Sequence, residues 1–285
     1  MKQSIFKELW NKMFSSGSRL YLFIGINTVV FLILGLLQLI VLVTKNTLVT
    51  DWIVSQIAVP GDLYAAVYKP WTLFTYMFVH KEIFHFFFNM LVLYWFGRIF
   101  EDYLNARQFT FTYVAGGLVG ALLFLLFYNT FPLFETAKYN SILLGASGSV
   151  MAIVVGIATL LPDYSVMLLL FGEVRLKYLA LIYVLIDILS ISGSNPGGSL
   201  AHLGGALLGF IFIKQLQNGN DWSKILQKRK RLRVVQRKTN ATVNVGSRVP
   251  EQELIDQILD KISKSGYNSL SPQEKEQLFK ASNKE

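Results

Sequence analysis

Leu143-Leu144-Gly145-Ala146-Ser147-Gly148-Ser149-Val150-Met151-Ala152-Ile153-Val154-Val155-Gly156-Ile157-Ala158-Thr159-Leu160-Leu161 decides how this chain folds. The segment has no charged residue and approaches the length of about 17 to 25 apolar residues that a membrane-crossing helix needs. Gly148, Ala152 and Gly156 recur at every fourth position, which gives the helix a flat face for close backbone approach. Ser147, set among glycines at the start of this helix, places a hydroxyl at membrane depth.

The rest of the chain shares this character. It is 53% hydrophobic and only 16% charged, with a mean hydropathy of +0.43, whereas soluble domains carry roughly 25% charged residues. Five more apolar stretches span or nearly span a bilayer: Leu20 to Val43, Phe84 to Phe100, Phe109 to Tyr128, Leu176 to Ile191 and Leu200 to Ile213. The expected architecture is an all-α membrane protein with six transmembrane helices. The first stretch follows basic residues, as a signal peptide does, but its apolar core is too long and no small-residue cleavage site follows it, so it reads as a retained helix.

Basic residues set the orientation, because Lys and Arg stay on the cytoplasmic side during insertion. Lys2, Lys7, Lys12 and Arg19 precede the first stretch, and nine Lys or Arg fall between Lys214 and Lys238 with Asp221 as the single acid. Both termini are therefore expected on the cytoplasmic side, as an even number of spans requires. The same basic run accounts for the net charge of +9 and is suited to anionic lipid head groups, with nucleic-acid binding the weaker reading. The chain has no cysteine, which excludes disulfide and thiolate chemistry. Its three histidines, spread over two helices and a loop, make a poor metal set, and no cofactor is indicated.

In this topology the second, fourth and sixth helices all run from outside to inside. His85 and Asn89 open the second, Ser147 opens the fourth and His202 opens the sixth, so polar side chains from three helices share one level below the outer surface. Polar groups at such depth are costly and mark a function or a partner. His85 and Asn89 stand at i and i+4, on one helical face. Ala201, Gly205 and Gly209 repeat on the sixth helix the spacing of Gly148, Ala152 and Gly156, and if the two faces meet, Ser147 and His202 lie side by side. A serine becomes a useful nucleophile when a neighbouring base takes its proton, and His202 is the nearest candidate. The oxyanion formed next needs preorganised donors, which His85, Asn89 and the Ser147 backbone N–H can supply. Each feature has a plainer explanation, since small-residue repeats also serve packing alone and a membrane serine often bonds a carbonyl. His80 falls in the outer loop just before the second helix, where an interfacial residue is equally expected.

Taken in order, several motifs resemble the rhomboid intramembrane serine proteases over roughly residues 71–213. They are Phe78-Val79-His80 followed by His85-x-x-x-Asn89, Gly97-x-x-x-Glu101, Gly145-Ala146-Ser147-Gly148, and Ala201-His202-x-x-Gly205-x-x-x-Gly209. The resemblance implies a six-helix core open to the outer side, with Ser147 as nucleophile and His202 as general base and then general acid. It implies that His85 and Asn89 line the oxyanion hole and that Gly145, Gly148, Gly205 and Gly209 are structural near the site. Asp187, the acidic residue on the fifth helix, reads as structural or loop-anchoring, because the resemblance implies a Ser-His dyad. The chain departs from the family pattern at Met151, where an aromatic often stacks on the histidine, and at Thr72, where the family frequently has arginine.

The implied function is cleavage of single-pass transmembrane substrates near the outer leaflet. The alternative is a catalytically weak adaptor or chaperone that binds transmembrane helices; a transporter is weaker, with no inverted repeat or broken helix pair in view. The bilayer is expected to be a bacterial inner membrane. Residues 1–19 read as a cytoplasmic amphipathic segment, 20–214 as the membrane domain, 215–249 as a basic linker and 250–285 as a cytoplasmic helical hairpin. In that hairpin Leu254, Ile255, Ile258, Leu259 and Ile262 form one face of a helix stopped at Gly266, and Ser271-Pro272-Gln273-Glu274 caps a second. The aromatic-rich loop Thr44 to Glu82 is expected to rest in the membrane interface. The sequence carries no signal of oligomeric state.

Overall fold

The structure is a computed structural model and describes residues 5–168, 172–227 and 251–282. It falls into two compact units, residues 1–228 and 229–285. The larger unit begins with α1 (Ile5–Phe14), which lies against α2 (Arg19–Thr44) so closely that a side chain at Gly25 would meet the Met13 Cβ at 3.0 Å. The outer loop then forms α3 (Leu48–Ile57), β1 (Val59–Pro60), α4 (Leu63–Tyr68) and α5 (Thr72–Thr75), followed by a 3-10 turn over Tyr76–Phe78. The bundle continues with α6 (Ile83–Tyr103), α7 (Ala106–Thr130), β2 (Ile142–Leu143), α8 (Ser147–Leu160), β3 (Ser165–Leu168), β4 (Gly172–Arg175), α9 (Leu176–Ser190) and α10 (Pro196–Gln217).

Among the described residues α2, α6, α7 and α10 are long and apolar enough to cross a membrane, which makes this an integral membrane protein. The other two expected spans, α8 and α9, have only 14 and 15 residues. Fourteen residues rise about 21 Å, short of the roughly 30 Å hydrocarbon layer. For α8 the deficit is harmless, because Gly148 to Ala158 are buried in protein rather than lipid.

The centre of the bundle is a seam of backbone. A Cβ on Gly205 or on Gly209 would land on the carbonyl of Gly148 or of Ala152, so α8 and α10 touch main chain to main chain. On the other side of α10, a Cβ on Gly120 of α7 would stand 2.6 Å from the Ala201 carbonyl. Such small-residue contact is how helices associate where lipid is as apolar as leucine. Around the seam, Phe100, Phe109, Tyr113, Phe124, Ile153 and Ile157 fill the core.

Polar anchors fix the ends. Glu101, near the C-terminal end of α6, accepts from the Ser18 hydroxyl at 2.7 Å and from the Arg19 and Leu20 N–H groups at 2.7 and 2.9 Å, satisfying donors that the start of α2 leaves free. The linker expected from residue 215 begins later: α10 continues to Gln217, and a 3-10 turn at Trp222–Leu226 is held by an Arg107–Asp221 ion pair of 2.8 Å. Most of the basic linker, residues 228–250, and residues 1–4 lie outside the described residues.

Two short antiparallel ladders stand beside the helices. Val59 pairs with Leu143 and Pro60 with Ile142, tying the outer loop to the segment that leads into α8. The hairpin β3–β4 joins α8 to α9. In the loop between α2 and α6 the buried Thr72 donates its hydroxyl to the Lys69 carbonyl at 2.6 Å, while the Lys69 ammonium reaches the Ser55 carbonyl at 3.0 Å, so a lysine braces the loop in which Thr72 stands in place of the arginine that the resemblance implies.

The second unit contains α11 (Glu251–Ser265) and α12 (Pro272–Ser282). Ile258 and Leu270 are buried between them. Ser271 and Glu274 exchange capping bonds, and Lys261 holds Glu274 at 2.8 Å. The lysine, with Ser271, pulls the Glu274 carboxyl down to about 2.

Candidate active site

Ser147 is the first residue of α8, preceded by Gly145 at φ +115°, a conformation that only glycine adopts without strain. The turn is clamped from below the outer loop. The Gly145 N–H donates to the Tyr76 carbonyl at 2.9 Å, and the Ala146 N–H donates to His80 Nε2 at 3.3 Å. The clamp is itself held, since the Tyr76 hydroxyl donates to the Gly117 carbonyl at 2.6 Å on α7. With the Gly145 and Ala146 amides engaged, the amides of the first turn of α8, from Ser147 onward, have no partner inside the helix and offer donors backed by its dipole.

His80 is therefore not an interfacial residue. It is 1% exposed, and its ring meets those of His85 and Phe86 edge-on at 5.2 and 5.6 Å. Burial, and then the neighbouring His85, push its pKa down to about 4, so it stays neutral and keeps Nε2 as an acceptor for the nucleophile turn. Its Nδ1 has no partner in the structure.

His85 and Asn89 lie one turn apart on α6. The place where a Gly145 side chain would stand is 3.1 Å from His85 Nε2 and 3.8 Å from Ser147 Oγ, so the imidazole and the hydroxyl border the same small space. The Asn89 amide donates to the His85 carbonyl at 2.8 Å, which spends one of its two N–H groups and leaves the other.

His202 does not open its helix. α10 begins six residues earlier at Pro196, where Asn195 caps by accepting from Gly198 N–H at 3.1 Å. Proline at the first helical position and an asparagine cap start the helix through glycines that look like loop residues. His202 thus stands nearly two turns inside. The seam sets it opposite the nucleophile: a Cβ on Gly148 would lie 3.1 Å from the Ala201 carbonyl, placing Ser147-Gly148 and Ala201-His202 face to face.

Asp187 corrects the sequence reading most sharply. Its Oδ1 lies 2.7 Å from His202 Nδ1, with the aspartate side chain 10% exposed and that of His202 28%. It anchors no loop. The geometry assigns the proton between them to Nδ1 when the imidazole is neutral, which leaves Nε2 with a lone pair. The available signal was the cost of a carboxylate on an apolar helix, which demands a partner; the partner itself, fifteen residues away across a helix reversal, has no periodic signature.

A hydroxyl, an imidazole and a carboxylate on α8, α10 and α9, with donors from α6 and the start of α8, can carry out acyl transfer. Comparison with known proteins shows the family of the chain. A family model described as the rhomboid domain matches residues 68–217, just over half of the chain. A second, described as a family of unknown function (DUF6576), matches residues 243–284. The chain is 29% identical over 140 residues to presenilin-associated rhomboid-like protein A, mitochondrial, of Danio rerio, covering 48% of this chain and 35% of that one. It is 31% identical over 158 residues to RHOMBOID-like protein 12, mitochondrial, of Arabidopsis thaliana, covering 52% of this chain and 47% of that one. The matched segment therefore spans less than half the length of either relative.

Proposed function

Because the chain belongs to the rhomboid family, we propose that it is an intramembrane serine endopeptidase that cleaves single-pass transmembrane proteins near the outer leaflet. The observation that carries this reading is that Ser147 and His85 border one small space at a turn held by the buried segment Tyr76 to His80, with Ala201-His202 facing Ser147-Gly148 across the α8–α10 seam.

In this mechanism His202 Nε2 takes the Ser147 proton as Oγ bonds to the scissile carbonyl carbon. The carbonyl oxygen becomes an oxyanion, received by the Ser147 N–H, His85 and the free N–H of Asn89. Losing one such donor typically costs about 10²- to 10³-fold in turnover. The protonated His202 gives its proton to the departing amine nitrogen as the C–N bond breaks, leaving an acyl-enzyme. Water, deprotonated by the same nitrogen, then attacks the ester and releases the carboxylic acid and the serine. A substrate helix must unwind to present a peptide bond, because its carbonyls are otherwise bonded within the helix, so helix-weakening Gly, Pro or small polar residues are expected at the cut.

We place both termini on the cytoplasmic side of a bacterial plasma membrane, with the basic linker near anionic head groups. The two relatives carry mitochondrial names, which describe those proteins. Labelling the detergent-solubilised chain with a fluorophosphonate probe, alongside Ser147→Ala and His202→Ala, tests the activity. Labelling lost in both variants supports an activated serine. A folded wild type that does not label overturns the protease and favours a helix-binding adaptor.

A further inference from the structure

We propose that Asp187 is the positioning carboxylate of this site, so that the general base His202 is oriented by a group on α9 and the machinery is a Ser147–His202–Asp187 triad rather than a dyad. The proposal rests on the protease reading above and adds a residue that the family resemblance does not imply.

The first support is geometry. At 2.7 Å the Asp187–His202 contact has the length of a charge-assisted hydrogen bond, and it uses Nδ1, the nitrogen that does not face a nucleophile when Nε2 serves as base. The second is cost. A carboxylate buried in the last turn of an apolar helix is expensive in a bilayer and is kept when it has a partner and a task. The third is what His202 would otherwise lack. With its backbone fixed in the α8–α10 seam, the ring can still rotate about its side-chain torsions and exchange tautomers; the carboxylate removes both freedoms and stabilises the imidazolium that forms as Ser147 is deprotonated. In this role Asp187 exchanges no proton with substrate, so it positions rather than reacts.

The placement on α9 has a mechanical consequence. This helix packs on α8 and α10, while a cavity of about 490 Å³ lies between its inner half, at Leu179 and Tyr183, and α6, at Val92, Phe96 and Ile99. Ile182, Ile186 and Leu189 face away from the bundle. The group that orients the base thus stands on a helix with much of its surface outside the bundle, and any displacement of α9 reaches His202 through one hydrogen bond.

The test is the rate of fluorophosphonate inactivation of the full chain, split into its binding and chemical constants, for wild type, Asp187→Asn and Asp187→Glu. Asparagine keeps the shape but donates to Nδ1 or presents a neutral oxygen, so the maximal inactivation rate is expected to fall about 10²- to 10⁴-fold while the inhibition constant stays within about threefold. Glutamate, which restores the charge, is expected to recover part of that loss. Proton spectra of ¹⁵N-histidine-labelled protein give a second readout independent of catalysis: a strongly deshielded imidazole N–H present in wild type and Asp187→Glu and absent in Asp187→Asn. Wild-type labelling that survives unchanged in Asp187→Asn overturns the triad alone. A wild type inert to the probe overturns the protease reading and the catalytic role of Asp187 together, and a deshielded proton that persists in Asp187→Asn overturns the pairing itself.

Discussion

The α7–α8–α10 core and the α6–α9 wall are built on opposite principles. In the core, glycines let main chain rest on main chain, and almost every residue of α8 is buried. In the wall, two helices stand apart around a cavity and α9 turns most of its apolar side chains outward. The proposed catalytic groups are divided between them: Ser147 and His202 stand on the close-packed α8 and α10, whereas His85, Asn89 and Asp187 stand on α6 and α9. In the proposed mechanism the nucleophile and base thus face each other across the seam, while the groups proposed to orient the base and receive the oxyanion stand on α6 and α9, whose cavity lies further along, at Val92 to Asp102 and Leu179 to Tyr183.

The contrast can be broken at its strongest point first. Gly205→Val puts a branched side chain where the Gly148 carbonyl stands, and since neither backbone can yield, the folded bundle should lose at least about 3 kcal/mol. Thermal unfolding in detergent reads this, and a stable Gly205→Val variant would show that the seam is looser than the structure has it. Next is the clamp below the nucleophile. Tyr76→Phe removes one buried hydrogen bond to the Gly117 carbonyl, which keeps its helical partner, at a cost of about 1 kcal/mol, seen as a lower unfolding midpoint.

A pH titration sharpens the picture further. His80 is held near a pKa of about 4 when folded, against 6.5 for an ordinary imidazole, so below pH 6.5 the unfolded chain binds a proton that the folded chain refuses. Its contribution to stability is intact above pH 6.5 and drains away as the pH falls toward 4. Unfolding midpoints of wild type against His80→Gln across that window should show the acid slope flattened in the variant. The smallest effect belongs to the wall: Leu189→Ala, at a position 77% exposed, should change stability by no more than about 0.5 kcal/mol, and a larger loss would mean that α9 is covered rather than open.

Much of this was legible in the sequence because membranes make period and composition strong signals. The stretches long enough to cross were visible as apolar runs with few charges, and the four-residue spacing of Gly148, Ala152 and Gly156 against Ala201, Gly205 and Gly209 marked surfaces that do pack together. What escaped was either non-periodic or non-local. The start of α10 at Pro196 hid behind two glycines, which usually end helices but here sit close against Phe124 and the capping Asn195. His80 looked peripheral because its burial depends on the β1–β2 ladder and the Tyr76 turn, neither of which has a pattern of its own in two or three residues. Asp187 could be recognised as an anomaly, but only the packing of α9 on α10 shows what it answers to.

The seam between α8 and α10 also constrains how this protein can change over time. Where two side chains collide, a second substitution can shrink the neighbour and restore the fit. At Gly205 the opposing wall is a peptide carbonyl, which every amino acid carries, so no replacement of Gly148 can make way. A genetic selection starting from a bulky residue at 205 should therefore return the original glycine and no compensating partner, a position locked by the backbone chemistry that all residues share.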